Sequence, residues 1–132
     1  MIGLMQPMTF PAMSLFEYIS KVDKFYYLDD VQLSKQSFQT RNLLYINKKR
    51  FWIKIPIKKI SLNQKINETK IDVQNWYRKF ENTVCQNYSR SYYLTEFRDI
   101  FNELINEKHI YLSDFNISFT QKFIEKLGIK TH

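Results

Sequence analysis

Two short apolar runs, Ile2 to Met5 and Phe25 to Leu28, flank one amphipathic segment near the start of the chain. Each run leads directly into a cluster of polar side chains. This order predicts a βαβ unit, in which a helix joins two parallel strands. Because open α/β sheets bind ligands outside the carboxyl ends of their strands, the pattern also predicts where a site would lie.

The rest of the chain extends this prediction to a whole fold. Apolar residues recur at helical spacing from Trp76 to Val84 and from Tyr93 to Leu104. A further helix is expected to begin with Ser113 or Asp114 as its cap and to end at Gly128. The predicted fold class is therefore α/β: a Rossmann-like open, mainly parallel sheet with flanking helices, a β-hairpin at about residues 41–56 and a helical second half. Ile129 to Thr131 resembles the start of another strand.

Two consecutive carboxylates, Asp29 and Asp30, follow the second apolar run. Neighbouring side chains of an extended segment point to opposite sides, so only one of the two can face a cleft. That carboxylate could accept a proton, orient a hydroxyl or amine, or hold Mg²⁺ through water, and these two are the candidate catalytic residues. The simpler interpretation is a solvated turn after the strand, where Asp is common.

A dense group of amides, hydroxyls and cations accompanies these carboxylates and favours a site over a plain turn. Arginine can bind phosphate or carboxylate bidentately, and lysine acts on either as a point charge. The candidate ligand-binding residues in this part of the chain are Gln6, Gln32, Lys35, Gln39, Arg41 and Asn42.

The same segments carry an ordered motif. It reads Gln-Pro-x-x-Phe-Pro from Gln6 and Pro7, then Asp-x-Phe-x-x-x-Asp-Asp-Val-Gln-x-x-Lys from Asp23, then Arg-Asn at Arg41. This motif resembles the start of the WbqC-like family of bacterial proteins. Further matching segments run nearly to the end of the chain: Ile55–Ile57, Ile66–Glu68, Ile71–Asp72, Trp76, Tyr88, Tyr92, Leu112–Asn116 and Leu127–Thr131.

The resemblance implies a role in the synthesis of O-antigen or other surface polysaccharides, by amino-acid or acyl transfer to a nucleotide-linked amino sugar. Lys35 and Arg41 would then hold phosphate or carboxylate, and Asp30 or Asp29 would orient or deprotonate the attacking amine. Sugar or amide groups would be read by Gln6, Gln32 and Asn42. The resemblance also adds Pro7, Asn67 and Glu68 to the ligand-binding set.

Two departures from the family pattern qualify this expectation. Ser14 stands where the family usually has Gly, and with Glu17 it matches a capping box at the start of the first helix. The chain is also shorter than the family usually is. Residues 1–132 are therefore expected to form a single domain, the N-terminal portion of a longer WbqC-like protein. The alternative function is a non-catalytic truncated domain that binds an anionic ligand, a second copy of itself or a complementing C-terminal half.

Part of the formal net charge of +7 is concentrated in one segment, residues 48–70. Its cations are Lys48, Lys49, Arg50, Lys54, Lys58, Lys59, Lys65 and Lys70, with Lys48 and Lys49 expected to form the hairpin turn. The simpler interpretation is a solvated face. The functional alternative is a surface for a nucleotide or another phosphorylated small molecule, and it leaves RNA open as a less favoured partner.

The chain lacks the residues that several other kinds of site require. With only Gly3 and Gly128, the chain has neither a P-loop nor a dinucleotide fingerprint. One cysteine and two histidines predict no metal site, so no cofactor is expected beyond the option of Mg²⁺. No apolar run approaches the roughly 20 residues of a membrane span, and Gln6, Pro7 and Pro11 interrupt any signal-like segment. The expectation is a soluble, cytoplasmic protein.

Overall fold

The first two strands, β1 (Ile2–Met5) and β2 (Lys24–Tyr27), pair in parallel and are joined by helix α1 (Met13–Ser20). The structure, a computed structural model, describes residues 1–132. Gly3 lets the two strands and α1 pack closely, because a Cβ atom there would lie 3.0 Å from the Phe25 ring and 3.1 Å from the Val22 side chain. The predicted βαβ unit is confirmed.

The next two strands, β3 (Arg41–Ile46) and β4 (Lys49–Lys54), form the predicted antiparallel hairpin. Its turn was placed one residue too late by the sequence interpretation: Asn47 and Lys48 have φ of 50° and 61°, and Lys49 already pairs with Ile46. A two-residue hairpin turn of the favoured hand needs positive φ at both positions, and Asn tolerates it well.

The second half is helical, as predicted. A short 3-10 turn (Ile66–Glu68) precedes α2 (Trp76–Asn87), α3 (Leu94–Asn106) and α4 (Leu112–Lys126). Gly128 follows the end of α4 with φ of 67°, which is the left-handed conformation expected of a glycine at that point.

The two sheets contain two strands each. The predicted open, mainly parallel sheet is therefore present only as its smallest unit, because after β2 the chain forms an antiparallel hairpin and then helices. The expected strand after Ile129 does not form, and only His132 makes backbone hydrogen bonds beside the start of β2. The Phe25 amide donates to the His132 carbonyl at 2.7 Å, and the His132 amide donates to the Asp23 carbonyl at 3.3 Å.

Both predicted helix caps are wrong. Ala12 is the cap of α1 and Ser14 lies inside the helix, since the Leu15 amide already donates to the Ala12 carbonyl at 3.0 Å. Glu17 pairs with Lys21 instead of returning to the helix start. In the same way Tyr111 caps α4, so that the Ser113 side chain is free to contact another part of the chain.

Helix α4 connects two apolar cores. The smaller core is formed by Leu15, Phe16 and Ile19 of α1 together with Ile124 of α4. Phe123 packs against both cores. The larger core contains Leu33, Ile53, Ile55, Ile66, Ile71, Phe80, Val84, Phe101, Leu104, Leu112, Phe115 and Phe119. The βαβ unit and the helical half are therefore held together mainly through α4.

Candidate functional site

The segment after β2 pairs with the segment before the 3-10 turn to form a short antiparallel ribbon. The Ile66 amide donates to the Val31 carbonyl at 2.9 Å, and the Leu33 amide donates to the Gln64 carbonyl at 2.8 Å. Gln32 and Lys65 stand directly opposite each other on it. This ribbon continues from the carboxyl end of β2, so it lies at the position where the βαβ pattern predicts a site.

Side chains along the ribbon alternate between the core and solvent, as the spacing of an extended chain requires. Val31 and Leu33 pack into the larger core, while Asp30 and Gln32 are exposed. The two carboxylates are separated in the same way. Asp29 is half-buried and accepts a hydrogen bond from Ser113 at 2.9 Å, whereas Asp30 faces solvent without an ion-pair partner.

A polar cleft of about 570 Å³ opens beside the ribbon. Two predicted ligand-binding residues, Gln32 and Lys35, line it. Residues 60–64 form the opposite wall, where Gln64 donates from its side chain to Thr69 at 2.9 Å. The full lining is Gln32, Leu33, Ser34, Lys35, Ile60, Ser61, Leu62, Asn63 and Gln64.

The cations around this cleft are unpaired. Lys35 lies in the lining, and Lys59 and Lys65 directly precede and follow the opposite wall. All three are exposed, and none forms an ion pair with a carboxylate. The cleft is therefore polar and bordered by available positive charge, which suits a phosphate or carboxylate group. Lys65 was not among the predicted ligand-binding residues, although it belongs to the cation group that the sequence offered as a surface for a nucleotide.

Gln39 has a structural role, because its side chain connects two of the N-terminal loops. It is buried, its side-chain amide donates to Gln6 at 2.8 Å, and its side-chain oxygen accepts from the Ser34 amide at 2.9 Å. Both ends of the Gln39 side chain are therefore occupied by protein. The structure brings Gln6 and Gln39 into contact with each other and uses Gln39 to shape the loop that carries Lys35.

A row of polar side chains on α4 supports these loops from inside. Asn116 is fully buried, and its side-chain amide donates to the Gln39 carbonyl at 3.0 Å. The hydroxyl of the equally buried Thr9 donates to the same carbonyl at 2.7 Å. Ser113 and Thr120 belong to the same row and are also buried. Their helical spacing, one polar row inside an apolar helix face, is the sequence signal that could have identified them.

Tyr27, the last residue of β2, points its hydroxyl toward this row. Its oxygen is buried and has no hydrogen-bond partner, while the Thr120 hydroxyl donates to the Asn116 carbonyl at 2.9 Å. Burial raises the pKa of Tyr27 to about 12, although the Thr120 hydroxyl acts in the opposite direction.

The remaining predicted residues have other environments. Asn42 donates to the Thr9 and Phe10 carbonyls at 3.1 and 2.8 Å, which fixes the loop that contains the buried Pro7. Glu68 accepts from the Lys65 amide at 3.0 Å and so caps the 3-10 turn.

The last two predicted ligand-binding residues are Asn67 and Arg41. The backbone amide of Asn67 donates to the Asp29 carbonyl at 2.9 Å, which places Asn67 beside the carboxylates. Arg41 lies over the Trp52 ring, with its guanidinium carbon 4.1 Å from the ring centroid. The structure brings together no group of three or more His, Cys, Asp or Glu side chains that could hold a metal ion.

A comparison with models of protein families identifies the family of the chain. The model of the WbqC-like protein family matches residues 6–132, which include every residue of the cleft and of the ribbon. The chain belongs to the WbqC-like protein family. The expected membership is thereby confirmed over nearly the whole length of the chain.

A relative within curated proteins supports the same conclusion. The chain is 30% identical over 132 residues to the uncharacterised protein Rv1507c of Mycobacterium tuberculosis. The alignment covers 98% of the chain and 57% of that relative, so the chain spans a little over half the length of the relative it matches. No solved structure matches the chain. None of its helices combines the length and apolar character that crossing a bilayer requires.

Proposed function

We propose that this WbqC-like domain binds a nucleotide-linked amino sugar in the polar cleft beside the ribbon and takes part in amino-acid or acyl transfer to it during surface polysaccharide synthesis. The observation that carries the proposal is the cleft itself: a volume of about 570 Å³ lined by amides and hydroxyls and bordered by unpaired lysines. Sugar hydroxyls need such polar partners, and a diphosphate needs the cations.

The two carboxylates have different parts in this proposal. Asp29 is engaged by Ser113, so its carboxylate holds β2 against α4. Asp30 is exposed and lies two residues before Gln32, which lines the cleft, although Asp30 is not itself part of the lining. Asp30 is therefore the group that would orient the sugar amine and accept its proton.

The proposed reaction joins the amine nitrogen to the acyl carbon of an activated donor such as a thioester. The new nitrogen–carbon bond forms as the carbon–sulfur bond breaks, the thiolate leaves, and the ammonium proton passes to Asp30. A general base of this kind contributes roughly 10² to 10⁴ in rate.

Binding can be tested by thermal unfolding with UDP-glucosamine, UDP-glucose, UDP and inorganic phosphate as probes. Ligand at about 100 times its Kd stabilises the native state by about 2.7 kcal/mol, so a shift of several degrees is expected with UDP-glucosamine. UDP-glucose, which lacks the amine, should give a smaller shift. Absence of any shift at millimolar concentrations of all four probes would refute the proposal.

The variant Lys35→Gln should weaken UDP-glucosamine binding by about tenfold, because a lost charge contact to phosphate is worth about 1.4 kcal/mol. Lys130→Gln is the matched control, since Lys130 is exposed and forms no ion pair. Equal affinity of both variants would place the ligand elsewhere. For catalysis, an Asp30→Asn variant with unchanged turnover would remove Asp30 from the mechanism.

A further inference from the structure

The hairpin presents a second surface, distinct from the cleft. Its strands alternate between two faces, and Leu44 and Ile53 of one face pack into the larger core. The residues of the other face form three directly opposed pairs: Arg41 with Lys54, Leu43 with Trp52 and Tyr45 with Arg50. We name these six residues the outer hairpin face.

The outer hairpin face combines cations with exposed aromatic rings. Tyr45 is 63% exposed and Trp52 is 42% exposed, which is unusual for side chains of this size. Phe38, which is 48% exposed, extends the aromatic surface, with its ring centroid 6.3 Å from that of Trp52. These exposed rings are adjacent, so they are not the singly scattered apolar residues found on every protein surface.

Arg41 is already arranged for stacking. Its guanidinium carbon lies 4.1 Å from the centroid of the Trp52 ring, which is the geometry of a cation–π contact. Its Nε atom is buried and has no hydrogen-bond partner. The stacked guanidinium is thus held in place without the carboxylate that usually orients an arginine.

The charge of this surface is of one sign. The face carries three cations, Arg41, Arg50 and Lys54, and residues 41–54 contain no acidic residue. None of these three cations forms an ion pair with any carboxylate of the chain. A polyanion could therefore bind here without displacing an internal partner.

We infer that the outer hairpin face binds single-stranded nucleic acid, with one base stacking on Tyr45, another on the stacked pair of Trp52 and Arg41, and the remaining cations contacting phosphates. Tyr45 and Trp52 are diagonal neighbours, which are about 7 to 8 Å apart in an antiparallel pair, so each ring can serve a different base. Alternation of aromatic stacking sites with a positive surface is how proteins bind single strands. A duplex hides its base faces, and a polysaccharide has none.

The test is fluorescence anisotropy with the full chain and labelled 15-nucleotide oligo(U) and oligo(dT) at 50 and 200 mM NaCl. Competitors are a duplex of equal length, heparin and vesicles containing anionic lipid. We expect binding at 50 mM that falls steeply at 200 mM, as phosphate contacts require. Unlabelled oligo(U) or oligo(dT) should displace the labelled strand at a concentration at least tenfold lower than the duplex or heparin requires. A preference for oligo(U) would identify RNA, and equal affinity would identify single strands in general.

Variants separate stacking from charge. Tyr45→Ala should weaken binding by about tenfold, whereas Tyr92→Ala should not, because Tyr92 is also exposed but lies before α3. Lys54→Gln should reduce the slope of log affinity against log salt by about 0.7, with Lys130→Gln unchanged. Lys35→Gln should leave this binding intact, so the result is independent of the cleft.

Three outcomes would overturn the inference. The first is no binding of either oligonucleotide at 50 mM NaCl. The second is undiminished binding by a folded Tyr45→Ala variant, which would show attraction by charge alone. The third is equal or better competition by heparin or anionic vesicles, which would assign the face to another polyanion or to a membrane surface.

Discussion

The fully buried hydroxyl of Ser113 donates a hydrogen bond of 2.9 Å to the carboxylate of Asp29. These residues are 84 positions apart in sequence, and their contact joins the end of β2 to the first turn of α4. A carboxylate near a helix N-terminus is also favoured by the helix dipole. The pair explains why one of two adjacent aspartates is structural while the other is exposed to solvent.

The Asp29→Ala variant should lower the free energy of unfolding by about 1 to 3 kcal/mol, because it leaves the buried Ser113 hydroxyl without a partner. The matched change Asp30→Ala should stay within about 0.5 kcal/mol, as is usual for an exposed site. Urea unfolding of both variants provides the measurement. Equal losses would mean that the pair does not stabilise the fold. A double-mutant cycle with Ser113→Ala would isolate the coupling.

Asn116 should contribute to stability through its buried hydrogen bond. Replacing it with Ala removes one of two donors to the Gln39 carbonyl, the other being the Thr9 hydroxyl, and a lost hydrogen bond of this kind costs about 0.5 to 1.5 kcal/mol. Gln121→Ala is the control, because Gln121 is exposed on the same helix and should cost no more than about 0.5 kcal/mol. Similar midpoints for both variants in urea would contradict the buried role of Asn116.

The hydroxyl of Tyr27 should be dispensable for stability. It is buried without a partner, so Tyr27→Phe removes an unsatisfied group and should leave stability unchanged or raise it by up to about 1 kcal/mol. Tyr88→Phe is a useful contrast, since the Tyr88 hydroxyl donates to the Tyr45 carbonyl at 2.6 Å. A clear loss of stability in Tyr27→Phe would show that this hydroxyl is hydrogen-bonded in solution.

Glu107 should make stability depend on pH in the acid range. Burial raises the pKa of Glu107, but hydrogen bonds with Lys122, Ser118 and His109 outweigh it and lower the pKa to about 2 from an ordinary 4.5. A carboxyl with a lowered folded pKa contributes its full stability above the ordinary value. That contribution is lost as the pH falls from about 4.5 toward 2.

The measurement is the free energy of unfolding between pH 6 and pH 2.5. Glu107→Gln should be less stable than the parent at pH 6 and should show a shallower decline below about pH 4.5. The control is Glu103→Gln, because the Glu103 carboxylate is 70% exposed and lies 3.6 Å from the Lys122 amine. If the free energy of unfolding of Glu107→Gln fell below pH 4.5 as steeply as that of the parent, Glu107 would not be the source of the pH dependence.

Ser14→Ala tests a correction made by the structure. A capping serine replaced by alanine would cost about 1 kcal/mol. In the structure Ser14 lies within α1 and the cap is Ala12, so the change should cost nothing and can stabilise the helix by a few tenths of a kcal/mol through its higher propensity. Thermal unfolding distinguishes the two positions of Ser14. A fall in Tm of several degrees would show that Ser14 caps the helix, as the sequence predicted.

Local patterns in the sequence predicted the elements well. The apolar runs at β1 and β2, the hairpin, and the helical spacing of α2 to α4 are all confirmed. Such patterns arise from neighbours a few residues apart, which decide the backbone conformation and the buried face. Helix boundaries and caps were less accurate, because the choice between Ala12 and Ser14 depends on how α1 packs onto the strands.

The position of the candidate site, but not its full lining, could be predicted from the sequence. The sequence placed a cluster of polar residues after β2, and alternation along the chain predicted that Asp29 and Asp30 would diverge. It could not show that residues 60–64 form the second wall of the cleft, or that Lys65 stands opposite Gln32. Those positions depend on pairing between segments about thirty residues apart, and no local pattern records such pairing.

The sequence alone thus determined most of the secondary structure, the family and the polar character of the N-terminal loops. Only the tertiary structure decided which polar residues are used inside the protein and which remain free for a ligand. Gln39 and Asn42 are held by backbone partners, whereas Lys35 and Asp30 face solvent. The physical reason is that a hydrogen bond forms only where packing brings donor and acceptor together, and here α4 and the N-terminal loops meet across most of the chain.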